Sequence, residues 1–373
     1  MPAGGLSGRK KETSMLSATH LVRIRNLGVA LGLAVAAGCS TAPKAPKTYT
    51  FFPAAPDEPR VQLLAGFSSD AQLGRGANFA DFVTGGSSGP GPLIKPYGLA
   101  LKDGKLYVCD TMAASLQVFD LAKKRSRYFV PRGEGRLQTP INITLDADGT
   151  RYIADAGRNQ VLIYSRDGAY LAAVGAKDEM RPTDVAITPD RFYVTDLKGH
   201  NIRVYSKADR KLLFTIPRDP GEEKAKLFTP TNLALDKQHG RLVVSDLGAF
   251  AIKVYDLEGH YLRTIGKQGQ APGLFARPKG VAVDREGRIY VVDAATQVVQ
   301  LFDADGNLLM FFGRAGSGTE GELSLPAAVK VDYDSVGLFK KQVAPNFKVD
   351  YVIVVSSQFY GNRINIYGFG SKK

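Results

Sequence analysis

The sequence predicts an all-β fold: a six-bladed β-propeller with four antiparallel strands per blade, its ring closed by an N-terminal strand in the last blade. Three observations predict it. A proline recurs at Pro96, Pro140, Pro182, Pro230, Pro278 and Pro326, at spacings of 44, 42, 48, 48 and 48 residues. After each proline comes the same succession of short apolar runs, and no helix of ordinary length fits between the prolines. The sixth copy runs out before its fourth strand, while a fourth-strand text stands unused near the start of the chain. A repeat of just over 40 residues with four alternating strands buries its apolar faces only by packing blade on blade.

The opening strands read "GLAL", "NITL", "DVAI", "NLAL", "GVAV" and "AVKV". Turns carrying Asp and Gly follow in several copies, then second strands that end in an acid: "LYVCD", "YIAD", "FYVTD", "LVVSD" and "IYVVD", with "VIVVSSQ" in the sixth copy. Third strands read "LQVFD" to "INIYG", and the fourth end at glycine in "YLAAVG", "YLRTIG" and "LLMFFG". Alternation with period two, enrichment in β-branched and aromatic residues, and polar turns mark all of these as strands. The unused text is "RVQLLAGF", residues 60–67. It supplies the missing outer strand of the last blade, which would otherwise be an open edge.

The chain ahead of the ring divides in two. Arg23 and Arg25 precede the apolar run "LGVALGLAVAAG", which has signal-peptide length and falls short of the roughly 20 residues a spanning helix needs. Residues 1–38 are therefore read as a signal peptide, starting at Met1 or, for a more typical length, at Met15. Residues 39–59 follow as a proline-rich tether without apolar period, extended at about 3 Å per residue and able to hold the folded part roughly 50 Å away. The propeller takes residues 60–370.

The formal net charge is +13, and the first 38 residues carry Arg9, Lys10, Lys11, Arg23 and Arg25 against Glu12 alone. The remainder keeps 44 basic and 35 acidic residues, a scattered positive surface that favours anionic partners without specifying one.

Two resemblances add to this reading. The stretch "VAAGCS" resembles a bacterial lipobox, with Ala36 where leucine is usual. It implies lipidation at Cys39, and Ser40 resembles the pattern sorted to the outer membrane. The blade "RPKGVAVDREGRIYVVDAATQVVQLFDADGNLLMFFG" resembles the NHL repeat, and the likeness runs from Pro96 to the end of the chain. Similar propellers serve as binding platforms, RNA-binding domains, sensors, zinc-using lyases and calcium-dependent lactonase-like enzymes, so the resemblance implies fold far more than function.

Candidate chemistry is sparse. The repeated Asp110, Asp155, Asp196, Asp246 and Asp293 are expected to build corners by accepting backbone N–H bonds, since five equivalent copies do not make one asymmetric site. Two residues after each repeat proline stand Gly98, Asn142, Asp184, Asn232, Gly280 and Ala328. Asn142, Asp184 and Asn232 form a half-ring of oxygens similar in position to the calcium site of lactonase-like propellers, although no glutamate stands ready as a further ligand. Asn and Asp here also bond to water and channel backbone in non-catalytic repeats, and a hydrated channel is the favoured account. His20, His200, His239 and His260 lack zinc spacing, and no haem-attachment motif occurs. Cys109, left without a disulfide partner if Cys39 is lipidated, reads as a buried strand residue. The glycine-rich "GRAGSGTEGELSLP" lacks a phosphate-loop lysine and matches the connection one blade earlier.

Two insertions interrupt the repeat, residues 68–95 and 335–350. The second carries Leu338, Phe339, Lys340, Lys341, Phe347 and Lys348, a mixture suited to an acidic partner or to packing on its own blade.

These observations favour a lipid-anchored, monomeric propeller on the bacterial outer membrane that acts as a non-catalytic platform for a protein or polymer, without nucleic acid and without a cofactor of its own. By resemblance, its partners are envelope complexes, multihaem cytochromes among them. The alternative is a calcium-dependent lactonase-like or lyase enzyme at the central channel. A sensor role is weakened by the lack of a spanning segment in the sequence.

Overall fold

A computed structural model describes residues 48–73, 90–176, 178–219 and 221–373. The expected signal peptide, the expected lipidation site Cys39 and residues 40–47 of the expected tether lie outside the described residues. No helix among the described residues is long and apolar enough to cross a membrane.

All six repeat prolines open the first strand of a blade. Blade one comprises Pro96–Lys102, Lys105–Asp110, Ser115–Asp120 and Arg125–Phe129; blade two comprises Pro140–Leu145, Arg151–Asp155, Gln160–Tyr164 and Tyr170–Val174. Blade three comprises Pro182–Ile187, Arg191–Asp196, Asn201–Ser206 and Leu212–Ile216; blade four comprises Pro230–Asp236, Arg241–Asp246, Ala251–Asp256 and Tyr261–Ile265. Blade five comprises Pro278–Val283, Ile289–Asp293, Val298–Phe302 and Leu308–Phe312. Blade six takes Pro326–Asp332, Phe347–Ser357 and Ile364–Lys372, then Val61–Phe67 from the other end of the chain. Each first strand contacts the first strand of the next blade, and the strand of blade six contacts that of blade one. The chain is a six-bladed β-propeller.

The period-two pattern explains the packing. Each blade turns alternate apolar residues to each neighbour, and the six seams hold six separate apolar clusters. Between blades two and three, Tyr152, Ile163, Val185, Phe192 and Tyr205 pack together. Between blades six and one, Phe67, Leu99, Phe119, Val354 and Ile366 do so. Fourth strands alternate exposed and half-buried residues, as befits a solvated outer edge.

The closing strand pairs with Ile364–Lys372, Val61 opposite Phe369 and Phe67 opposite Ile364. It is more buried than the other outer strands because two further segments cover it. One is unexpected: Phe51–Phe52, assigned to the tether by composition, forms a fifth strand, with Phe51 opposite Gln62 and Phe52 opposite Val61. Phe52 lies edge-on to Tyr367 and Phe51 to Phe347. The boundary between tether and folded ring therefore precedes Phe51 rather than following Pro59. The strand at the other end runs to Lys372, two residues beyond the expected limit.

The other cover is the insertion 335–350. The Gln62 side chain donates to the Gln342 carbonyl at 2.9 Å and accepts from the Ala344 N–H at 3.0 Å.

Candidate functional site

The ring has two faces. First strands begin at the entry face and end at the exit face. The loops between blades and the turns joining second to third strands lie on the entry face. Hairpin turns joining first to second strands lie on the exit face. Of the described residues of the two insertions, 90–95 lead into a first strand on the entry face, whereas 335–350 follow one on the exit face.

On the entry face the corner aspartates do what their repetition predicted. Asp155 accepts from the N–H groups of Gln138 at 2.7 Å, Thr139 at 2.9 Å and Gly157 at 3.0 Å. Asp110, Asp246 and Asp293 accept equivalent pairs just ahead of their first strands. Fully buried, these carboxylates tie each second strand to the entry of the first.

The side chains two residues after the prolines run along the ring, each toward the next blade. Gly98 and Gly280 explain the geometry: a Cβ at Gly98 would stand 2.4 Å from the Cα of Asn142, and one at Gly280 would stand 2.5 Å from the Cα of Ala328. This position therefore points along the ring at the next blade. Asp184, 1% exposed, follows the same direction. Its Oδ2 accepts from the Leu233 N–H at 3.1 Å and from Asn232 Nδ2 at 3.2 Å, and its Oδ1 accepts from the Val185 N–H at 2.8 Å. Asn142 Oδ1 accepts from its neighbour Ile143 at 3.0 Å. Burial raises the Asp184 carboxyl above the usual range, opposed by the Lys330 charge and these N–H donors. Calcium takes six to eight oxygens, several of them from free carboxylates. Asp184 is the one carboxylate of the set; it clasps blade three to blade four, and Asn232 Oδ1 beside it is buried without a hydrogen-bond partner. Among the described residues no three His, Cys, Asp or Glu side chains assemble as metal ligands.

The structure brings together a group that periodicity did not reveal. Lys279 of blade five and Tyr97 of blade one, each one residue after its proline, meet across blade six, where the equivalent residue is only Ala327. Lys279 Nζ donates to the Tyr97 hydroxyl at 3.2 Å and lies 4.7 Å from the ring centre. Lys279 is 7% exposed. Burial, with Arg277 and Lys95 nearby, pushes its ammonium down to about 8. Lys95 and Arg277, each just before its repeat proline, thus place two further cations near Lys279 at the entry-face rim.

Beside this rim lies an apolar patch over the seam of blades six and one. Phe359 and Tyr360, 40% and 72% exposed, occupy the second-to-third-strand turn of blade six. Lys95 Nζ stands 5.6 Å from the Phe359 ring centre. Ile94 and Met112 are also exposed on this face; the Ile94 N–H donates to Asp110, and Thr111, next to Met112, donates to the Lys95 carbonyl. The candidates of the second insertion fare differently. Phe339 and Phe347 are buried in blade six, while Leu338, Lys340, Lys341 and Lys348 stay exposed, Lys348 paired with Asp350 at 2.8 Å. Cys109 is buried, and burial raises its thiol well above the usual range.

Comparisons with known proteins agree on the fold. A family model of a 6-bladed beta-propeller matches residues 231–313. No curated protein matches the chain. Among solved structures, a protein of unknown function from Bacteroides thetaiotaomicron aligns with a TM-score of 0.58 at 14% identity, covering 83% of this chain and 75% of that one. The calcium-binding protein regucalcin from Agrobacterium tumefaciens aligns at 0.53 with 12% identity, covering 76% and 92%. Catalytically inactive virginiamycin B lyase from Staphylococcus aureus, with quinupristin, aligns at 0.50 with 14% identity, covering 74% and 95%. At such identities the likeness speaks for the fold alone.

Proposed function

We propose that this NHL-type propeller is a lipid-anchored envelope protein, held at the outer membrane through Cys39, that docks an acidic protein partner on its entry face without turning it over. The observation that carries this reading is the set of exposed apolar side chains Phe359, Tyr360, Ile94 and Met112 on this face, with the Lys95 ammonium over the Phe359 ring and Arg277 sharing with Lys95 the neighbourhood of Lys279. Exposed aromatics beside arginine and lysine have the composition of interface hot spots, and the local excess of positive charge selects an acidic counterpart. The corner acids of this face are already committed to backbone N–H groups, so they offer a partner little beyond their buried charge. Envelope complexes, including those with cytochromes, are the class of partner in view.

Mild crosslinking in the host envelope, followed by purification and mass spectrometry, tests this reading. A stoichiometric partner captured by the native chain and lost in Phe359→Ala/Tyr360→Ala, with the melting temperature unchanged, supports it. A solitary protein, or a partner retained by that variant, contradicts it.

A further inference from the structure

A second charged site lies on the exit face, at the seam of blades one and two. Blades four and five share a local device there. The acid six residues after the repeat proline holds an arginine at or just before the start of the second strand: Asp236 with Arg241 at 2.5 Å, and Asp284 with Arg288 at 2.6 Å. Blade two has the same two residues, Asp146 and Arg151, but the pair is open. Asp146 is drawn instead to Lys207 of blade three at 2.5 Å.

Among the described residues no carboxylate forms an ion pair with Arg151. It is 3% exposed, with its guanidinium between the rings of Phe129 at 4.8 Å and Tyr107 at 5.4 Å. One terminal nitrogen donates to the Arg166 carbonyl at 2.5 Å, and Nε is buried with no acceptor. An unsatisfied donor on a buried cation is costly to a fold unless something supplies the acceptor. Arg151 lines a cavity of about 140 Å³ whose wall also includes Lys102, Lys105, Arg127 and Arg166. Only Asp103 and Asp167 oppose these five cations, and Asp103 is taken up by Arg166 at 3.2 Å.

We propose that this cleft binds a phosphate group, with Arg151 as the buried anchor and Lys105 and Arg127 closing over the anion from blade one. A fork of guanidinium donors and a surplus of positive charge suit a phosphomonoester dianion better than a single carboxylate. The same chemistry is offered by a soluble phosphate ester and by the phosphate of a membrane lipid headgroup. The site is on the face opposite the docking patch and stands independently of the partner reading.

Titration calorimetry of the full chain in detergent with inorganic phosphate, at constant ionic strength, tests it. A vesicle arm compares phosphatidic acid with phosphatidylcholine, so that any lipid anchor contributes equally to both. Lys105→Ala/Arg127→Ala alters two exposed side chains; it is expected to weaken phosphate binding at least about tenfold while the phosphate-free melting temperature stays put. Arg151→Met serves as a second variant where it folds. Saturable binding of inorganic phosphate assigns a soluble ester; preference for phosphatidic acid vesicles without it assigns a headgroup. Neither binding, or equal binding by the double variant, overturns the proposal.

Discussion

Lys279 of blade five and Tyr97 of blade one are joined at 3.2 Å across an intervening blade, so the mouth of the channel is spanned by an ammonium–phenol pair. The small Ala327 of blade six leaves the space, and Ser356 of the same blade fixes Tyr97 by donating to its carbonyl at 2.6 Å.

This lysine makes stability depend on pH in a defined direction. Its pKa falls from 10.5 to about 8 on folding, chiefly through burial. Below pH 8 both states carry the proton, and the folded state bears the full cost of a buried charge, about 3 kcal/mol by linkage. Between about 8 and 10.5 the unfolded state binds more protons, so the cost is relieved as pH rises. Urea unfolding of Lys279→Met is therefore expected to show a variant more stable than the native chain at pH 7, less about 1 kcal/mol for the lost Tyr97 bond. The gap should shrink as pH passes from 8 to 10.5.

Close approach of the central strands predicts intolerance of one methyl group. In Gly280→Ala the new Cβ meets the Ala327 carbonyl oxygen at 2.7 Å and the Ala328 Cα at 2.5 Å, both backbone. A loss of about 1–3 kcal/mol is expected in denaturant melts, with the m-value kept.

The periodic part of this fold was legible in the sequence; the exceptions to the period were not. Prolines, alternation and the stray fourth strand located every blade and the closure, because each blade repeats the same burial problem. Corner aspartates were legible for the same reason. Tyr97 and Lys279 lie 182 positions apart and contact each other only because blade six has a small residue between them. Asn142, Asp184 and Asn232 lie in first strands, and the register shifts there at the strand entry, an irregularity that a count from the prolines does not show. Phe51–Phe52 escaped notice because two residues carry no period.

Covering the closing strand should be a measurable part of stability. Phe52→Ala is expected to cost roughly 2 kcal/mol, below the range for a fully buried phenylalanine because Phe52 is partly exposed. Deleting residues 335–350 should destabilise the ring rather than merely strip a surface, since it removes buried Phe339 and Phe347 and both partners of Gln62. Thermal melts of the two variants check this.

If the Asp184 set is a clasp, Asp184→Ala lowers the melting temperature by the same amount with calcium and with chelator. A native chain that melts higher in calcium, with the increment lost in Asp184→Ala, would restore the cation reading.

The central claim is that the entry face is the docking face. Its most direct test is a photo-crosslinking residue placed, in the host envelope, either at position 360 on the entry face or at position 338 on the exit face. The account predicts a discrete crosslinked partner from 360 and none from 338. A partner captured from 338 alone would contradict it.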